Sequence, residues 1–574
     1  MTKRLPGLLL ASMASLTFGL ATSPGAASQD VVHYGCNAPV KLDQFAADDL
    51  GHMGQSIALG DFNHDGVKDI VMGGYDRQQA QNDQPPDDMK TKVYVFLGTG
   101  SSSAPLFRER LEISGPQALD LFGFSVAFVG DLNGDQCDEL LVGAPRWEPP
   151  SMTDSGRVWL FYGRPTLSAD VTGSPVTDPA TSAAALTFDG TIDGGWFGAS
   201  IATAKDANGA FLKEMVVGAP GNSVTSTTVK GSVYLYASPT LEDASVVAGS
   251  IPGVAIGASP LTGTPGITGS STAGWLAIAH RVPSGIGFGD LFGQSVAFVG
   301  DLDGVAGQEY LVGAPQYASE TGLSTTKGPG YVRLFRKGND TPLITIYGEQ
   351  LPSDNPRQEG EAFGFSVAGG IQLNPESDSV PDILVGAPFF NAGASSSSPG
   401  AVQAGRVMAY SGLAAGTAGD AVQLLTASAP DDTLLVGTNG SDQFGYSIGV
   451  ASDINGDGRE EILVGAWQGS IASATACVPP QHPALRTGFG GYAILYSTFL
   501  PSPGDKLAVF YGEAYKDHLG RAVASGQLFG TTSHPEIVLS GLAWNVAGDE
   551  HPDDPTENGR GYVWDGETVL TSSP

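Results

Sequence analysis

"FGFSVAFVGDLNGDQCDELLVGAP", residues 122–145, joins a Phe-Gly opening to a short apolar run, an acidic loop and a second apolar run closing on Gly-Ala-Pro. Small and β-branched residues at Ser125, Val126 and Ala127 suit a strand packed where space is tight. Asp, Asn and Gly in the loop turn a chain sharply. The stretch therefore reads as a hairpin wrapped round an acidic turn.

The chain writes this hairpin seven times. Aligning on the opening glycine finds Gly54, Gly123, Gly198, Gly293, Gly364, Gly445 and Gly520, five of them preceded by Phe. Two positions on stand Ser56, Ser125, Ser200, Ser295, Ser366 and Ser447, with Ala522 the departure. About twenty residues later comes the second run, as in "DIVMGG", "ELLVGAP", "EILVGAW" and "EIVLSGLAW". A third strand follows in each copy ("RVWLFYG", "GYVWDG"), and "ALTFDG" (185–190), "LITIYGE" (343–349) and "LAVFYGE" (507–513) supply a fourth.

A four-stranded unit cannot bury both of its faces alone, and radial stacking about an axis solves this while protecting the sheet edges. No linker separates the copies, which argues against a row of separate sandwiches. The expectation is an all-β chain, a seven-bladed β-propeller of four-stranded antiparallel blades. A Gly, Ser and Pro-rich insertion at about 240–287 enlarges the third unit without adding a blade. After its third strand the last unit has only "TVLTS" (568–572) left, while "VKLDQF" (40–45) belongs to no unit, and one of the two must complete the last blade. The N-terminal segment is expected to do so.

Residues 1–28 carry Lys3 and Arg4, an apolar stretch from Leu5 to Leu20, and small residues at Gly25, Ala26 and Ala27. This is the pattern of a secretory signal peptide cut near Ala27 or Ser28. No later segment approaches about 18 uninterrupted apolar residues, so no membrane span is expected. Residues 29–574 then form one secreted propeller. Only Cys36, Cys137 and Cys477 are present, so at most one internal disulfide can form and stability must come from burial. With 28 Lys and Arg against 60 Asp and Glu, the formal net charge of −32 argues against nucleic-acid and anionic-membrane partners, which need basic patches.

Part of that negative charge lies in the loops. "DFNHDGVKD" (61–69), "DLNGDQCDE" (131–139) and "DINGDGREE" (453–461) place side-chain oxygens at loop positions one, three, five and nine. A hard cation such as calcium takes six to eight oxygens from carboxylates, carbonyls and water. One site would use Asp61, Asn63, Asp65 and Asp69 with the carbonyl of Val67. A second would use Asp131, Asn133, Asp135 and Glu139 with that of Cys137, and a third Asp453, Asn455, Asp457 and Glu461 with that of Arg459. The competing reading is that Asp, Asn and Gly simply make turns. The fourth unit keeps Asp301, Asp303 and Glu309 but has Val305 at position five, so a weaker site is expected there. In the third unit Ala210 interrupts Asp206, Asn208 and Glu214, and no site is expected.

The units from Gly51 to Gly566 resemble the FG-GAP repeats of the integrin α-subunit N-terminal propeller and its bacterial secreted relatives. The quoted stretch contains both halves of that name. The resemblance implies seven blades, calcium (Ca2+) in the loops between first and second strands, and a ligand-binding face on the opposite side. The implied partner is an extracellular protein or glycan.

In an up-and-down blade the turns after the second strand emerge opposite the acidic loops. Several carry an aromatic just past the glycine: Tyr75, Trp147, Tyr317, Phe389, Trp467 and Trp544. Such rings make platforms for partners, or they wedge between blades. Trp147, in the polar setting "RWEPPSMTDS", is the foremost candidate for the face. "GYSIG" (445–449) matches the Gly-x-Ser-x-Gly pattern of serine hydrolases, but Ser447 occupies the repeat's serine position on an inner strand. The histidines are scattered without zinc-ligand spacing. A binding module, not an enzyme, is expected, with a polysaccharide lyase or hydrolase as the alternative.

Overall fold

A computed structural model describes residues 32–33, 40–42, 52–75, 91–100, 107–132, 134–164, 186–206, 209–221, 231–237, 266–268, 289–303, 307–315, 329–337, 339, 341–349, 360–372, 380–391, 403–410, 433–436, 441–469, 490–497, 506–512, 518–529, 534–541, 559–566 and 569. The chain is an all-β propeller of seven blades, each of three or four consecutive antiparallel strands with its first strand innermost. The first strands, from His52–Gly60 in blade one to Leu519–Gly526 in blade seven, each pack against the next, and the last packs against the first. The ring is closed.

Among the described residues the apolar core is divided between the blades. Seven apolar clusters each fill the gap between two consecutive blades. Second strands serve two gaps at once, because alternate side chains point to opposite sheet faces. Val71 faces blade two, for example, while Ile70 and Met72 face blade seven. This is why runs such as "EILVGA" are apolar without alternation.

The motif residues meet at the seams. Six serines donate their hydroxyls to the opening-glycine carbonyl of the next blade: Ser56 to Gly123 (2.9 Å), Ser125 to Gly198 (2.7 Å), Ser200 to Gly293 (2.8 Å), Ser295 to Gly364 (2.9 Å), Ser366 to Gly445 (2.7 Å) and Ser447 to Gly520 (2.8 Å). Each serine faces the closing glycine of its own hairpin, as Ser125 faces Gly143. A Cβ on Gly143 would stand 2.1 Å from the Gly198 oxygen and 2.3 Å from Ser125 Oγ. The seam thus requires glycine there.

Blade seven inverts the pair. Ala522 replaces the serine, Ser540 replaces the glycine opposite it, and Ser540 Oγ donates to the Gly54 carbonyl at 2.6 Å. The hydroxyl has crossed the hairpin and kept its acceptor. Ser540→Ala should cost about 1–3 kcal/mol by leaving a buried carbonyl without its donor. Ala522→Ser combined with Ser540→Gly should recover most of it. Calorimetric melts of the three proteins check this, and a double variant no more stable than Ser540→Ala would count against the relocated bond.

The termini complete the ring as the unfinished last unit implies. Val40–Leu42 pairs antiparallel with Arg560–Trp564 as the fourth strand of blade seven, setting Val40 opposite Val563 and Leu42 opposite Gly561. Leu42 is buried in the cluster between blades seven and one. Val32–His33 adds a parallel edge to blade six against Ala508 and Val509. Within the insertion, Gly266–Thr268 pairs with Leu186–Asp189 on the outer edge of blade two. The signal-peptide segment lies outside the described residues.

Candidate functional site

The acidic loops share one frame. The first-position aspartate closes each turn: Asp61 accepts from the N–H groups of Asp65 (3.1 Å) and Gly66 (3.0 Å), Asp131 from Gly134 (2.6 Å) and Gln136 (2.9 Å), and Asp453 from Gly456 (2.7 Å) and Gly458 (2.8 Å). The fifth-position acids accept from the residue two on: Asp65 from Val67 (3.0 Å), Asp135 from Cys137 (2.9 Å) and Asp457 from Arg459 (2.9 Å). At position three, Asn63 and Asn455 donate to Asp65 and Asp457, while Asn133 lies outside the described residues. The turn-forming role of these residues is therefore real, and the question is what remains for a cation.

The ninth position answers it. The acid that ends the loop is present in every blade, at position nine as Asp69, Glu139, Glu214, Glu309 and Glu461 and after longer loops as Asp382 and Glu536. One oxygen caps the loop backbone: Glu309 accepts from Leu302 N–H (2.7 Å), Glu461 from Ile454 (2.6 Å), Glu536 from Leu528 (2.6 Å), Asp69 from Phe62 (2.9 Å), and Glu139 from Leu132. This cap accounts for an acid in blade seven, where the rest of the loop pattern is lost. The second oxygen differs between blades. Oε1 of Glu139, Glu309 and Glu461 is buried with no hydrogen-bond partner among the described residues. Asp69, one methylene shorter, instead spends its second oxygen on Gly98 N–H at 2.9 Å.

Three carboxylate groups converge accordingly: Asp131, Asp135 and Glu139; Asp301, Asp303 and Glu309; and Asp453, Asp457 and Glu461, with one oxygen from each residue of a group within 4.8 Å of the others. Asp61, Asp65 and Asp69 are not among the groups found in the described residues. Blade four, expected from Val305 to be the weaker site, brings its carboxylates together through Asp303 at position three, without an acid at position five. In blade three, Asp206 caps its own turn through Ala210 N–H (2.9 Å).

Burial drives the electrostatics. Removal from water, reinforced by the neighbouring loop aspartates, raises Glu139 and Glu461 from 4.5 to about 8 and Glu309 from 4.5 to about 7. Burial likewise raises Asp69 from 3.8 to about 7. Groups held this way bind a proton when nothing else is offered, and a cation competes with that proton. Cys137 is a buried free thiol raised from 9.0 to about 12, again chiefly by burial, so it has a carbonyl to offer and no thiolate.

On the opposite face the expected rings divide. Trp147 is only 8% exposed, lies in the cluster between blades one and two, and has the Arg157 guanidinium 3.4 Å from its ring centroid. Its loop folds back over it, since Gly156 N–H donates to the Trp147 carbonyl at 3.0 Å. Phe389 is buried too. Trp147 is a wedge and Phe389 packs with its ring 6.3 Å from Phe365, so neither is the exposed platform expected there. The Tyr75 side chain, Tyr317 and Trp544 lie outside the described residues.

Trp467 is half-buried and belongs to a strip crossing blades five to seven. Phe365 and Tyr446 have ring centroids 4.6 Å apart, Tyr446 and Trp467 5.1 Å, and Trp467 and His518 5.0 Å. Arg521 lies over Tyr446 (4.6 Å) and Trp467 (5.3 Å), and donates to Gln55 Oε1 at 2.8 Å. Phe365, Tyr446, Arg521 and Gln55 are the residues that follow the opening glycine in four blades. Sequence reasoning passed over them. The available signal was a single variable position inside an otherwise fixed motif. Ser447 Oγ, meanwhile, is spent on the seam.

The FG-GAP repeat family profile matches residues 122–161 and 444–474. Integrin alpha-5 of Xenopus laevis is 28% identical over 192 residues, covering 33% of this chain and 15% of that protein. Integrin alpha-8 of Gallus gallus is 32% identical over 94 residues, covering 16% and 9%, and integrin alpha-PS5 of Drosophila melanogaster 27% over 198 residues, covering 34% and 17%. The chain thus matches less than a fifth of each relative's length. A solved exotype rhamnogalacturonan lyase aligns at 11% identity and a TM-score of 0.22 over 85% of this chain and 62% of that one, a score that decides nothing about chemistry.

Proposed function

We propose that this FG-GAP-like β-propeller is a secreted, calcium-binding module that holds an extracellular protein or glycan on the face opposite its acidic loops. The observation that carries the metal half is the buried, unpartnered Oε1 of Glu139 and Glu461 in the middle of converging aspartates. A hard dication supplies the missing partner, with the carbonyls of Cys137 and Arg459 as further oxygens. Blade one, where Asp69 is fully used, holds the ion less well than blades two and six.

The ligand half rests on the strip of Phe365, Tyr446, Trp467 and Arg521. Partly exposed rings with a guanidinium among them suit recognition of a partner, because large flat surfaces are offered with little entropy to lose. No residue is assigned a catalytic role. A protein and glycan array probed with and without calcium should yield hits, and Trp467→Ala or Tyr446→Ala should weaken them about tenfold or more while calcium uptake is unchanged. Turnover of an arrayed glycan would overturn the binding reading in favour of an enzyme.

A further inference from the structure

Arg336 and Lys337 are consecutive residues at the end of the third strand of blade four (Tyr331–Arg336), and they reach the acidic loops of two different blades. Arg336 donates to Asp303 Oδ2 through Nε at 2.8 Å and through a terminal nitrogen, in its own blade. Lys337 Nζ pairs with Glu214, the ninth-position acid of blade three. Asp303 and Glu214 are largely covered, their side chains 4% and 13% exposed.

Register shows that this is particular to blade four. Arg336 sits directly opposite Glu309 across the second and third strands. One residue beyond the pairs Leu140–Phe161 and Ile462–Tyr496, the corresponding positions are Tyr162 in blade two and Ser497 in blade six. Neither carries charge of the right sign. Blade four also brings three carboxylates together, at loop positions one, three and nine where blades two and six use one, five and nine, and its Glu309 Oε1 is likewise buried with no hydrogen-bond partner among the described residues. It differs in holding a guanidinium on Asp303, one of the three carboxylates that a cation would need. Arginine stays charged at any accessible pH, so this counter-ion cannot be titrated away.

We propose that Arg336 and Lys337 are built-in counter-ions standing in for a divalent cation at blades four and three, so that the ring has a metal-dependent arc and a metal-independent one. In blade four Arg336 excludes calcium from a loop otherwise able to take it. In blade three Lys337 neutralises an acid whose loop offers no converging carboxylate set among the described residues. The exclusion half rests on the reading that such loops hold calcium.

Calorimetric calcium titration and thermal melts of the full chain, Arg336→Gln, Arg336→Lys and Lys337→Gln test this. Arg336→Gln should take up one more equivalent of calcium than the parent, or bind its weakest equivalent about tenfold tighter. Adding Glu309→Gln should abolish that gain. In chelator Arg336→Gln should melt below the parent, with calcium restoring it and Arg336→Lys matching the parent throughout. Lys337→Gln should lose stability that calcium does not restore. Unchanged uptake by Arg336→Gln, with calcium bound normally by the parent, overturns the exclusion and leaves the calcium reading standing. If the parent itself takes up no calcium, the metal reading falls, and equal melts of all four proteins in chelator would overturn the counter-ions as well.

Discussion

Withdrawing calcium at pH 8 will lower the melting temperature of the protein, and Glu461→Gln will be less stable than the parent in calcium yet no less stable in chelator. A metal bound only by the folded state adds RT ln(1 + [L]/Kd), about 2.7 kcal/mol per site at a hundredfold excess over Kd. The crossover comes from the same carboxylates. Without metal, burial raises Glu139 and Glu461 from 4.5 to about 8. A carboxyl raised on folding binds its proton more tightly in the folded state, so the stability it contributes is full below about pH 4.5 and is lost as pH rises through about 8. The metal-free protein should therefore melt progressively lower from pH 5.5 to pH 8.5, and Glu139→Gln or Glu461→Gln, which mimic the protonated group, should flatten that decline. With calcium the ionised form has its partner, binding releases protons, and apparent affinity rises with pH over the same interval. Melts of the parent and the variants at the two pH extremes, with chelator and with calcium, check the stability changes. A parent whose metal-free melt is as high at pH 8.5 as at pH 5.5 would remove the buried glutamates from the explanation.

Deleting residues 29–45 will make the protein aggregate. The Val40–Leu42 strand is what covers the third strand of blade seven, so its loss bares the backbone of Arg560–Trp564 along an edge carrying the buried side chains Tyr562, Val563 and Trp564. An uncovered apolar edge is a template for pairing with another chain. Burial of Leu42 between blades seven and one is lost at the same time, and Leu42→Ala alone should cost about 2–5 kcal/mol. Size-exclusion chromatography with light scattering, together with melts of the deletion and of Leu42→Ala, separates the two contributions. A monomeric deletion protein melting with the parent would show that the ring closes without this strand.

The blades were legible because their requirements are local. The opening glycine, the serine two residues on and the apolar runs recur at positions that packing between sheets dictates, and even the unfinished last unit pointed to the N-terminal strand. The loops were legible as a donor pattern only. Nothing in the spacing says that Asp69 exhausts both oxygens on backbone while the longer Glu461 keeps one in reserve, or that Arg336 returns to Asp303 from the third strand. The ligand face was the least legible. Trp147 and Trp467 follow equivalent glycines, yet one ring is wedged beneath Arg157 and the other stands in a partly exposed strip. Inward and outward are set there by how each loop folds back, which a count of residues from the turn does not contain.

The seam bonds have a consequence for how far such repeats can drift. Their acceptor is a main-chain oxygen, present whatever residue carries it, and their donor can sit on either strand of the hairpin, as Ser540 in place of Ser56-type serines demonstrates. What selection must preserve is one hydroxyl and one vacancy beside it per junction. The seventh unit can lose the signature serine and glycine together and still hold its neighbour, so ancestry fades from the text of a blade well before it fades from the joint.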